Sequence, residues 1–119
     1  MIKQFATVTV WVEDFPSAIT FYRDGLGLEL VSRPGDIPQF LVGDSMLVLV
    51  KGRLFQPADA FPPDFPLFSF SVDNLEKTVR DLEKLNITLA EGITERPDSR
   101  WISLRDPAGN LIEIIEVKP

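Results

Sequence analysis

The sequence predicts an α+β fold: two βαβββ modules whose mixed sheets curve into a half-barrel around a cleft, with the helices outside. Three observations lead there. An alternating strand is followed at once by a capped amphipathic helix; the same arrangement returns 60 residues later; and between the two repeats lies a stretch rich in proline and phenylalanine.

In Thr7–Val12, Val8, Val10 and Val12 share one face and Thr7, Thr9 and Trp11 the other, the period of two expected of a strand. Asp14 offers a helix N-cap, and Pro16 fits the first turn, where a missing N–H costs nothing. Phe15, Ile19, Tyr22 and Leu26 recur at helical spacing, and Gly27 supplies a left-handed stop. Strands are expected at Leu28–Ser32, Gln39–Val42 and Met46–Val50, separated by Pro34-Gly35 and Gly43-Asp44.

The second module repeats this order. Leu67–Val72 alternates, with Phe68, Phe70 and Val72 on one face and Leu67, Ser69 and Ser71 on the other; Asp73-Asn74 brings cap chemistry. Leu75, Val79, Leu82 and Leu85 recur at helical spacing, and Asn86 stands where a left-handed residue is needed. Strands at Thr88–Glu91, Arg100–Leu104 and Asn110–Val117 complete the unit. A slide of 60 residues places Val12 on Val72, Asp14 on Asn74, Ile19 on Val79 and Tyr22 on Leu82, the mark of a duplicated unit. A module of about 55 residues makes only a marginal core. One domain over residues 1–119 is therefore expected, with modules 1–52 and 67–119 and an ordered crossover over 53–66 carrying Phe55, Phe61 and Phe65.

Composition excludes several functions. A net charge of −6 without a basic cluster argues against nucleic acid. The apolar runs are of strand length, which argues against a membrane protein, and Met1–Phe5 leads straight into a strand pattern without a signal-peptide layout, so a cytoplasmic location is expected. The chain has no cysteine and no histidine, so it has no thiolate nucleophile, no disulfide and no imidazole for proton transfer or metal ligation. Acid–base work would fall to carboxylates, lysines or Tyr22.

Two motifs point to a family. Val12, Asp14, Phe21-Tyr22-Arg23-Asp24 and Leu26-Gly27-Leu28 resemble the first module of the vicinal oxygen chelate (glyoxalase/bleomycin resistance/dioxygenase) superfamily. Arg105-Asp106-Pro107-Ala108-Gly109-Asn110-Leu111-Ile112-Glu113 resembles the turn and last strand of its second. Read structurally, the first set packs a helix on a sheet and the second is a tight turn with Asp, Pro and Gly in their usual places. The resemblance implies that fold, and a dimer. In the metal-dependent members His, Glu, His and Glu, or close variants, hold a divalent ion. Carried over strand by strand, those positions are Thr7, Val48, Leu67 and Glu113, of which Glu113 alone offers a ligand. No metal and no other cofactor are expected.

Strand alternation predicts a ligand-binding wall of Thr7, Thr9, Trp11, Val48, Leu67, Ser69, Trp101, Ser103 and Glu113, with Phe40 contributing. Trp11 and Trp101 read equally well as pocket walls and as core or interface. Glu113, flanked by Ile112 and Ile114, needs a cation, a hydroxyl or solvent; Arg100 and Arg105 are nearby candidates in sequence, although strand parity places only Arg105 with Ser103 and Trp101. The leading expectation is a metal-independent binder that sequesters a small cationic or aromatic molecule, as homodimer. The alternatives are a lyase- or isomerase-like enzyme with Glu113 as catalytic base, and a non-catalytic interaction module.

Overall fold

The computed structural model describes Met1, residues 3–52 and residues 68–118. Leu67 and the expected crossover phenylalanines lie outside the described residues. The chain divides into two compact units, Met1–Leu54 and Phe55–Pro119.

In the first unit β1 (Thr7–Val12) leads into α1 (Phe15–Ile19), which runs on as a π-helical turn over Thr20–Gly25; β2 (Glu29–Leu30), β3 (Gln39–Val42) and β4 (Ser45–Lys51) follow. The sheet order is β1-β4-β3-β2, with β1 parallel to β4 and the other pairs antiparallel. The local chemistry explains the helix start: the Asp14 carboxylate accepts from the Ser17 amide at 3.4 Å, and proline sits in the first turn. Gly27 closes the helix at φ 75°, a conformation that strains residues bearing a Cβ.

Burial follows the alternation. Val10, Val12, Leu47 and Leu49 are buried beneath the helix together with Tyr22 and Phe21, while Thr7, Thr9 and Trp11 point to the helix-free face. Phe40 departs from expectation. It is 0% exposed, with its ring 5.8 Å from that of Tyr22, so it belongs to the core beneath the helix and not to the predicted wall. Phe21 and Tyr22 meet edge to face at 5.1 Å, and both are buried because the wider π turn carries two consecutive aromatics onto the sheet.

The second unit holds β5 (Ser69–Ser71), α2 (Leu75–Lys84), β6 (Leu89–Glu95), β7 (Ser99–Arg105) and β8 (Leu111–Val117), in the equivalent order β5-β8-β7-β6. Asn74 caps α2 by accepting from the Lys77 amide at 3.0 Å, and Asn86 ends it at φ 59°. Leu75 and Leu82 are buried against Ile102, Leu104, Ile112 and Ile114, the aliphatic side of β7 and β8. β6 runs further than Thr88–Glu91, to Glu95, and its register against β7 shifts twice. Such bulges twist an edge strand away from further pairing. The Asp106–Asn110 turn forms as its residues suggest: the Gly109 amide donates to the Asp106 carbonyl at 2.9 Å, and the buried Asp106 carboxylate accepts from the Ala108 and Asn110 amides.

Candidate functional site

Opposite the helix, each sheet presents a ladder of side chains that its core does not need. In the first unit Gln39, Val48 and Thr9 face one another across β3, β4 and β1, and Val50 faces Trp11. In the second, Glu91, Ser103, Glu113 and Ser69 form one row across all four strands, and Thr94, Trp101, Ile115 and Ser71 the next. The register thus makes Val48, opposite Thr9, the counterpart of Glu113, opposite Ser69.

The two rows differ in chemistry. The row through Val48 carries no charge: its neighbours are the amide of Gln39 and the hydroxyl of Thr9, with Val50 and Trp11 beside them. Trp11 is 44% exposed and lies directly over Gly52, where an added Cβ would approach its ring to 2.5 Å. A side chain at this position would have to displace the indole, a constraint of space and not of backbone conformation.

In the second unit the Ser69 hydroxyl donates to Glu113 Oε2 at 2.8 Å. The partner that the sequence demanded for this carboxylate is a hydroxyl. Neither arginine considered for the role reaches it. Arg105 donates to the Gly109 carbonyl at 2.8 Å, and Arg100 sits on the opposite, helix-bearing face. Ser103 is 8% exposed, and Trp101 carries Arg96 over its ring at 5.5 Å. Arg96 and Glu91 were not foreseen as members of this face; their register with Trp101 and Ser103 depends on bulges that local sequence does not fix.

Arg100 has other work. Its Nε donates to Glu116 Oε2 at 2.7 Å, its two terminal nitrogens pair with Glu76, and Glu116 Oε1 accepts from the Leu75 amide at 3.0 Å. The network ties the start of α2 to the sheet. The Arg100 guanidinium holds the carboxyls of both Glu76 and Glu116 below the ordinary glutamate range, chiefly through these hydrogen bonds.

As a metal site the implied donor set does not fit. Val48 and Leu67 have no donor atom, Thr7 offers a neutral hydroxyl, and Glu113 is a single carboxylate already bonded to Ser69. Among the described residues no group of three or more acidic, histidine or cysteine side chains is placed to hold an ion. No helix there is long and apolar enough to cross a membrane.

Comparison with known proteins agrees with this architecture. No curated protein matches the chain. Among solved structures it is similar to a lactoylglutathione lyase from Agrobacterium tumefaciens, at 28% identity and TM-score 0.76, covering 97% of this chain and 94% of that one. An antibiotic binding protein from a Streptomyces species shares 25% identity at TM-score 0.77, covering 98% of both chains. A glyoxalase/dioxygenase from Nostoc punctiforme, at 20% identity and TM-score 0.83 with 98% and 92% coverage, shares the fold. The family model for the Glyoxalase/Bleomycin resistance protein/Dioxygenase superfamily matches residues 4–114, and the chain belongs to that superfamily.

Proposed function

We propose that this protein binds a small organic molecule without a metal ion, and that the helix-free face bearing Ser69, Ser103 and Glu113 belongs to the binding site. The observation that carries the reading is the pair of equivalent ladder positions, Val48 and Glu113: only one of them has a carboxylate, and that one is held by a serine. A divalent ion competes poorly with its own hydration for one carboxylate oxygen. A small polar ligand beside an indole needs no more than a few fixed polar groups. Similarity to an antibiotic binding protein at 25% identity supports a binding role, and similarity to a lyase shows that the fold also carries catalysis. Assembly as a homodimer belongs to the same proposal.

Native mass spectrometry of tag-free protein tests all of it. The expected result is a mass of twice the chain, no stoichiometric divalent ion, and a reproducible small organic adduct or an equivalent thermal stabilisation by some member of a compound library. One divalent ion per chain would overturn metal independence. A bare protein whose melting temperature no compound raises would overturn the binding role.

A further inference from the structure

Ser103 is more than nine-tenths buried, and its hydroxyl has no hydrogen-bond partner among the described residues. Buried hydroxyls are nearly always bonded, and an unsatisfied one carries a desolvation cost. Its ladder neighbours on the same face are both carboxylates, Glu113 on β8 and Glu91 on β6. Glu113 accepts one hydrogen bond, from Ser69, and forms no ion pair among the described residues: Arg100 is engaged on the opposite face, Arg105 at the Gly109 carbonyl, and Arg96 lies over the Trp101 ring.

A serine hydroxyl can donate or accept, whereas an ionised carboxylate only accepts. A group that satisfies both must therefore donate. An anion is repelled by two carboxylates, and a neutral acceptor would satisfy Ser103 while leaving Glu113 as it was. A protonated nitrogen meets every requirement: it donates to both oxygens and places positive charge in the acidic row. We propose that Glu113 and Ser103 hold a protonated amine of the ligand, with Ser69 as a positioning residue that fixes the Glu113 carboxylate. This rests on the small-molecule-binding reading and names the ligand class within it.

The test is a ¹H–¹⁵N correlation titration with three probes that share a phenylethyl group and differ in charge: 2-phenylethylammonium, 2-phenylethanol and 3-phenylpropanoate. The amine should move the Ser69, Ser103 and Glu113 amide signals saturably, the alcohol should bind at least about tenfold more weakly, and the carboxylate should leave these signals in place. Glu113→Gln should weaken amine binding roughly tenfold and Ser103→Ala about threefold. Ser69→Ala should weaken it and Ser69→Thr, which keeps the hydroxyl, should restore it. The spectra themselves report whether each variant is folded.

Equal binding of amine and alcohol at this face would overturn the charge assignment while leaving a binding protein. Amine shifts undiminished in Glu113→Gln, or absent altogether, would also overturn it; the binding role is then decided separately by the mass and melting measurements. Undiminished binding by Ser103→Ala would remove Ser103 from the site and leave its hydroxyl to a water molecule.

Discussion

The two units place Val48 and Glu113 at the same point of the same ladder, one opposite Thr9 and the other opposite Ser69. Beneath this shared register they are held together differently. The first joins helix to sheet with aromatic rings: Tyr22 and Phe40 are both 0% exposed and in contact. The second joins them with aliphatic side chains and with Arg100 on β7, whose side chain is 17% exposed and pairs with Glu116 on β8 and Glu76 at the helix start. A duplicated backbone thus fixes where side chains point, while each copy remains free to choose what they are. On the helix-bearing face that freedom changes the source of stability, and on the other it separates an uncharged row from one that carries two carboxylates.

The contrast can be broken at three points. The largest effect should come from Phe40→Ala. Removing a fully buried ring should lower the unfolding free energy by about 3–5 kcal/mol in a urea titration. A loss below about 1 kcal/mol would show that the aromatic contact is dispensable.

Next comes Arg100→Ala, which leaves Glu116 partly buried without its cation. It should lower the melting temperature at neutral pH by less than Phe40→Ala does, and it should change the pH dependence. Glu76 and Glu116 have folded values below their unfolded ones, so their contribution is complete above the unfolded carboxylate pKa of about 4.3 and is lost as pH falls through the lower folded values. The wild-type melting temperature should therefore fall more steeply than that of the variant below about pH 4, and the two should run parallel above about pH 5. Glu116, 17% exposed, should account for more of this than Glu76 at 49%. Parallel curves throughout would remove the network as an electrostatic tie.

The smallest effect compares the caps. Asn74→Ala should cost about 1 kcal/mol. Asp14→Ala should cost less, because its bond to the Ser17 amide is 3.4 Å against 3.0 Å for Asn74 and the Lys77 amide. Thermal melts of the two variants side by side decide the order.

Much of this was legible in the residues. Strict alternation assigned Thr7–Val12 to its two faces, the caps at Asp14 and Asn74 and the stops at Gly27 and Asn86 were identified by side-chain chemistry, and the Asp106–Asn110 turn by its Asp-Pro-Ala-Gly order. Phe40 was misplaced because it sits in Gln39-Phe40-Leu41-Val42, where three consecutive apolar residues leave no period to separate the faces. The extent of β6 was hidden by Gly92 and by bulges that depend on β7. The Arg100–Glu116 pair was within reach. Both share parity with Ile102 and Ile114, and a charged residue on a buried face demands a partner on that face. The same parity places only Arg105 with Ser103 and Trp101, and it leaves Glu116 as the partner for Arg100 on its own face.

The π turn at Thr20–Gly25 records a length difference between the copies. Tyr22 and Leu82 stand 60 residues apart, but the left-handed residues that end the two helices, Gly27 and Asn86, stand 59 apart. The closing bonds agree: the Leu28 amide donates to the Tyr22 carbonyl across six residues, and the Ile87 amide to the Leu82 carbonyl across five. The first module carries one extra residue within its last helical turns. Absorbed into a regular α-helix, that residue would rotate everything after it by about 100° and turn the exit away from the sheet. Absorbed as a single widened turn, it stays a local swelling, and the strands that follow enter the same ladder as their counterparts. The helix thus acts as an expansion joint for an inserted residue, and the register linking Val48 to Glu113 survives because the slack was taken up there.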